Sequence, residues 1–166
     1  MNKIAILYGS SGGNTESVTK QIETLLNNEV DIYNVDSVSL EQIKNYPYFI
    51  LGTSTSGVGD LQDDWESFLP SFSKMDFSGK KVALFALGDS ASFSSSFAES
   101  MKVIYDEIHD KATVVGAVAD EGYTYDSSAA VVDGMWVGLP LDEDNECDMT
   151  GERLKNWIEK IKPEFS

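Results

Sequence analysis

The chain has 166 residues, the size of one domain, and 42% of them are hydrophobic, enough to build a core. Twelve basic residues against 28 acidic ones give a formal net charge of −16, which excludes nucleic acid and anionic membranes as partners, since both need a basic patch. The opening apolar run is too short for a secretion signal, no apolar stretch spans a bilayer, and Cys147 stands alone, so a reducing cytoplasm without disulfides is expected.

Residues 3–8 read as a buried strand leading into Gly9-Ser10-Ser11-Gly12-Gly13-Asn14-Thr15. Val18, Ile22, Leu25 and Leu26 then make the apolar stripe of a helix. Residues 30–35 form a second strand, 40–44 a marginal helix and 48–51 a third strand. A small-residue loop follows, Gly52-Thr53-Ser54-Thr55-Ser56-Gly57-Val58-Gly59-Asp60, and then a short helix over 63–72. Residues 81–87 are a fourth strand, closed by Leu87-Gly88-Asp89-Ser90-Ala91-Ser92-Phe93-Ser94. Phe97, Met101, Ile104, Tyr105 and Ile108 stripe another helix, and 113–118 make a fifth strand. Residues 119–136, rich in Gly, Tyr, Ser and Asp, read as an insertion, after which 137–141 turns strand-like again. Leu154, Trp157, Ile158 and Ile161 mark a last helix. This βαβα rhythm in one domain, 1–166, means a parallel sheet with helices on both faces.

In such a sheet ligands bind where the strands end. The loop after the first strand leads small residues into a helix start, where amides and dipole favour an anion. No basic residue lies between Lys3 and Lys20, so a phosphate there is held by amides and hydroxyls alone. Ser11 occupies the place of the second glycine of a dinucleotide fingerprint, and no Gly-Lys-Ser/Thr triphosphate loop is present. Taken singly, each loop also reads as a helix cap or an ordinary turn. Three small-residue loops at one sheet edge point to a flat ligand clamped between backbones. Elsewhere, His109 reads as a surface residue and Cys147 as an inert thiol, while Trp65, Trp136 and Trp157 suit packing.

The run from Tyr8 to Glu16 is similar to the flavodoxin phosphate loop. Residues 59–66 look like the family segment after its second flavin loop, and Leu87-Gly88-Asp89 resembles its third. Val137-Gly138-Leu139-Pro140-Leu141-Asp142-Glu143-Asp144-Asn145 resembles the family's late motif. The resemblance covers nearly the whole chain, and the insertion at 119–136 marks the long-chain subclass. It implies a doubly wound five-stranded parallel sheet, order 2-1-3-4-5, with the fifth strand interrupted; flavodoxin is itself a standard example of this fold, with FMN at the switch point.

It also implies a low-potential one-electron carrier with non-covalently bound FMN, cycling between semiquinone and hydroquinone. Ser10, Ser11, Gly12, Gly13, Asn14 and Thr15 are expected to hold the phosphate. Thr55, Ser56, Gly57, Val58 and Gly59 are expected to line the flavin ring, with the Gly57–Val58 peptide able to flip. Gly88 and Asp89 are expected to hydrogen-bond the pyrimidine edge, Phe93 to stack on the outer face and Asp144 to reach the ribityl chain, with Leu87 and Ser96 also expected among the cofactor-binding residues. Three residues depart from the family pattern: Gly12 for a hydroxyl residue, Ser56 where Trp is frequent, and Phe93 for Tyr. Losing the aromatic ring at Ser56 is expected to loosen FMN binding about 10- to 100-fold.

Between Lys111 and Arg153 there is no basic residue, and ten acidic ones lie there. With Asp60, Asp63, Asp64 and Glu66, this acidic face is expected to dock a basic-faced partner, such as a flavodoxin/ferredoxin reductase or an oxidoreductase donor, onto a monomer. Alternatives are an FMN-dependent quinone or nitro reductase of the same fold, a receiver-like signalling module, and a binding protein without cofactor. The receiver reading lacks its acidic cluster, because Ser10-Ser11-Gly12 follows the first strand.

Overall fold

The computed structural model describes residues 2–166. Its centre is β3 (Tyr48–Ser56), flanked on one side by β1 (Ile4–Tyr8) and β2 (Val30–Asn34), on the other by β5 (Lys81–Leu87). All these pairings are parallel, in the register Ile4–Val30, Ile4–Tyr48 and Tyr48–Lys81. Two short strands share the position beyond β5. The first, β6 (Thr113–Val115), pairs with the start of β5, and β10 (Leu139–Leu141) pairs with its end. The expected order therefore holds, with a fifth strand in two pieces.

The residues between those pieces build a small antiparallel sheet of β7 (Val118–Ala119), β8 (Val131–Val132) and β9 (Met135–Trp136). Trp136 is fully buried there and meets Phe97, Tyr123 and Tyr125 at ring-centroid distances of 5.1 to 5.8 Å. The insertion thus has an aromatic core continuous with that of the main sheet.

Strand alternation sends Ala5, Leu7, Phe49 and Leu51 to one face and Ile4, Ile6 and Ile50 to the other. The first face packs against α3 (Asp63–Phe72), α4 (Ser100–Ile108) and the short α2 (Leu40–Ile43), through Trp65, Phe72, Met101, Ile104 and Ile43. The second packs against α1 (Asn14–Leu25) and α5 (Thr150–Ile161), through Val18, Ile22, Leu154, Trp157 and Ile161. Each fully buried side chain of this kind contributes about 1.5–3 kcal/mol. Among the described residues, no helix is long and apolar enough to cross a membrane.

Boundaries differ from the sequence reading in three places. The fifth strand, read as 113–118, ends at Val115, because Gly116 at φ +85° breaks it and Val118 pairs in the small sheet. β3 does not stop at Leu51 but runs to Ser56, then turns through residues 57–59 into an antiparallel strand, β4 (Asp60–Leu61). Half of the expected loop is strand, because Thr53 and Ser54 pair with Ala86 and Leu87 of β5. α4 begins at Ser100 rather than at Phe97, since Ala98 has φ +51° and breaks the helical run.

Candidate functional site

The carboxyl ends of β1, β3, β5 and β10 open on a cleft of about 220 Å³. Its floor on one side is the loop into α1. Gly13, at φ +89°, sits at the helix N-cap without any capping side chain, so the first-turn amides have no side-chain acceptor. Ser10 Oγ accepts the Gly13 N–H at 2.9 Å and shapes the loop. Thr15 is 1% exposed, and among the described residues its hydroxyl has no hydrogen-bond partner. A buried hydroxyl without a partner costs about 1–3 kcal/mol. Uncapped amides, a helix dipole and an unsatisfied hydroxyl together suit a phosphate group.

The loop owes its position to close packing at Gly9. A side chain there would overlap Gln62 Oε1 and lie 2.8 Å from Trp65 Cδ1. Gln62 caps α3 by accepting the Trp65 N–H at 3.1 Å, and its Nε2 donates to Ser11 Oγ at 3.3 Å. Trp65 Nε1 donates to the Gly52 carbonyl at 2.8 Å, which also accepts the Gly9 N–H at 3.1 Å.

The opposite wall is Leu87, Gly88, Asp89 and Phe93, joined by Glu143 and Asp144. Phe93 is 39% exposed, an apolar ring held at the mouth of the cleft. Asp89 accepts N–H groups from Ser92 at 3.0 Å and Ala91 at 3.2 Å, and the Asn145 side-chain amide at 2.8 Å. The Ser92 backbone bond above all, then Asn145, holds its carboxyl below the usual carboxylate range. Asp144 moves the other way: partial desolvation raises its pKa, and the charges of Asp89, Asp142 and Glu143 add to this. Among the described residues, none that lines the cleft is basic. Three carboxylates along this wall make the cleft unfavourable for further negative charge.

Beneath these loops Asp142 is fully buried and ties them together. It accepts from the Ser90 N–H at 3.3 Å, the Ser90 hydroxyl, the Asn145 N–H at 3.1 Å and the Asn145 side chain.

Of the expected residues, Ser10, Gly12, Asn14, Thr15, Thr55, Leu87, Gly88, Asp89, Phe93 and Asp144 meet at this cleft. Ser11 and Gly13 are exposed on the same loop. Ser56, Gly57 and Val58 form the hairpin end beside it, and Val58 is 77% exposed. Gly59 faces a separate groove with Leu61, Leu69 and Val103. Ser96 does not reach the cleft: it is 3% exposed, its N–H closes a turn on the Phe93 carbonyl at 3.1 Å, and it faces inward. Sequence reasoning missed Ser54 and Glu143, which line the cleft, and Asp142 and Gln62, which position it. Ser54 and Glu143 stood next to selected residues. Asp142 and Gln62 each bond a near neighbour, Asn145 and Trp65, but they tie the loops together through Ser90 and Ser11, 52 and 51 residues away, which no local pattern marks.

The flavodoxin family model matches residues 6–157. Flavodoxin 1 of Azotobacter vinelandii is 42% identical over 171 residues, covering 99% of this chain and 98% of its own length. The flavodoxin of Helicobacter pylori is 39% identical over 166 residues, with all of both chains covered. Among solved structures, Fusobacterium nucleatum flavodoxin bound to flavin mononucleotide superposes with a TM-score of 0.94 at 33% identity, over 100% of both chains. Flavodoxin 2 of Bacillus cereus, in its oxidised form, gives 0.74 at 26%, over 98% of this chain and 99% of its own. With this sheet order, this cleft and these relatives, the chain belongs to the flavodoxin family.

Proposed function

We propose that this chain carries electrons one at a time on FMN held without a covalent bond in the cleft. The carrying observation is the Thr15 hydroxyl, buried and unpartnered at the uncapped start of α1. A phosphate is the group that satisfies both. The chain is an electron-transfer protein and not an enzyme, as its flavodoxin relatives are; the reductase reading has no comparable support.

FMN, when bound, supplies the redox chemistry, and the protein tunes it. Ser10, Ser11, Gly12, Gly13, Asn14 and Thr15 hold the phosphate. Thr55 to Val58 border the ring, Gly88 and Asp89 take the pyrimidine edge beside Leu87, Phe93 covers the outer face, and Asp144 stands by the ribityl chain. Gly57 has φ +50°, a conformation glycine adopts without strain, so the Gly57–Val58 peptide can reorient at low cost. The carboxylates of Asp89, Glu143 and Asp144 disfavour extra negative charge and hold the potential low.

The subclass is the long-chain one, supported by the insertion that splits the fifth strand. The chain works as one flavodoxin-like unit, 1–166, monomeric and cytoplasmic. Its charge of −16 fits a redox partner with a basic docking face, steered over long range.

The experiment is a titration of the apoprotein with FMN and with riboflavin, which lacks the phosphate. FMN saturates at one equivalent and riboflavin binds at least about 100-fold more weakly. Equal binding of the two contradicts the phosphate site.

A further inference from the structure

The turn at Gly57-Val58-Gly59 is lightly held from within. The hairpin pairs Thr55 with Leu61 and Ser56 with Asp60, and Val58 stands 77% exposed between them. Two consecutive residues at the start of α4 grip the turn from outside. Ser100 is fully buried; its hydroxyl pairs with Thr55 Oγ1 at 2.7 Å and its N–H donates to the same oxygen at 3.3 Å. Glu99 serves the other end. Its Oε2 lies so close to Gly59 that any Cβ there would overlap it, and Gly59 has φ +82° besides. The other carboxylate oxygen, Oε1, accepts the Ala129 N–H at 2.7 Å.

Ala129 belongs to the insertion. That segment is already fastened to the loop carrying Phe93: the Asp126 and Ser127 N–H groups donate to the Ser94 carbonyl at 2.9 and 3.0 Å, and Ser94 Oγ donates to Asp126 at 2.8 Å. The insertion therefore braces both loops that flank the ring. One side of the brace is direct, through Ser94. The other passes through a single carboxylate.

We propose that Glu99 is a positioning residue for electron transfer: its carboxylate clasps the insertion at Ala129 to the turn at Gly59 and so limits how freely the 57–59 backbone rearranges beside the flavin. The proposal rests on the placement of FMN argued above. At 2.7 Å the Ala129 N–H bond needs only an acceptor oxygen at that place, and the second carboxylate atom packs directly against Gly59. The clasp also explains how an insertion distant in sequence bears on the site. It acts by restraining backbone motion and not by the charge it carries.

Shape and charge separate cleanly here. Glu99→Asp keeps the charge but is one methylene too short to reach both Ala129 and Gly59. Glu99→Gln keeps the reach and an acceptor oxygen but loses the charge. Ala129→Pro removes the donated N–H and leaves Glu99 untouched. Two readouts apply: hydrogen exchange of the apoprotein at residues 57–60, and the gap between the two one-electron midpoint potentials of the FMN-loaded protein.

In Glu99→Asp and Ala129→Pro, exchange at 57–60 rises about tenfold with the sheet core unchanged. In Glu99→Asp the ratio of the two reduction equilibria also changes about tenfold, about 59 mV in the gap. Glu99→Gln stays near the wild type in both. Turn exchange at the wild-type level in Glu99→Asp and Ala129→Pro overturns the clasp. A Glu99→Gln gap displaced as far as that of Glu99→Asp overturns it too, because charge would then be the cause. Failure of the wild type to take up FMN contradicts the cofactor reading, while the exchange result on apoprotein still decides the clasp.

Discussion

The carboxamide of Gln62 lies against the α-carbon of Gly9, with no space between them for a methyl group. This contact sets the phosphate loop on α3, since the same Gln62 caps that helix and bonds Ser11. Gly9→Ala forces Gln62 and Trp65 apart. The expected result is a loss of about 1–3 kcal/mol in urea unfolding, the usual cost of overpacking, together with weaker FMN binding.

Thr15→Val separates stability from binding. The hydroxyl has no partner among the described residues, so its removal is expected to raise apoprotein stability by about 1 kcal/mol. The same change removes a phosphate donor, and FMN affinity is expected to fall about tenfold. Thermal unfolding of the apoprotein and a flavin fluorescence titration check the two signs. A loss of apoprotein stability would mean that the hydroxyl has a partner in the fold.

Much of the fold was legible in the sequence, and the failures have physical causes. Strand 81–87 and helix 63–72 are legible to the residue, because an unbroken apolar run and a capped amphipathic run each end abruptly. β3 was cut short because its second half is polar. Thr53 is fully buried and the strand is held by ladder bonds, which an apolar pattern does not report. Phe97 looked helical by spacing, yet it is an anchor packed on Trp136 at 5.7 Å, just before the helix. The small sheet of the insertion has strands of two residues, too short for any period. In the site, the loops were visible as runs of small residues. Their supports were not: Asp142 reaches Ser90 across 52 residues and Glu99 reaches Ala129 across 30.

Ser56→Trp restores an aromatic ring beside the flavin at the end of β3. Ser56 is half-buried there, next to the exposed turn, so a larger side chain can be accommodated. Affinity for FMN is expected to rise about 10- to 100-fold, equivalent to roughly 1.5–3 kcal/mol of stacking and buried area. Calorimetric titration of the two apoproteins checks this, and unchanged affinity would mean that the missing ring at Ser56 does not loosen FMN binding.

Two of the carboxylates at the cleft, Asp89 and Asp144, have opposite pH signatures. Asp89 has a lowered pKa, so it contributes stability above the ordinary aspartate range, and that contribution disappears as pH falls through its folded value. Asp89→Asn is therefore expected to be less stable than the wild type at pH 7, with the difference fading in acid. Asp144 has a raised pKa, so its charge costs stability above the folded value and nothing once both states are protonated. Asp144→Asn is expected to be more stable at pH 7, with the advantage vanishing below about pH 4. Unfolding curves across that range decide both signs.

One-electron transport on FMN is decided by stepwise reduction of the FMN-loaded protein under a controlled potential. Two separate one-electron steps are expected, the second at the lower potential because Asp89, Glu143 and Asp144 oppose the added charge. A single two-electron step would contradict the account and move the chain towards reductase chemistry.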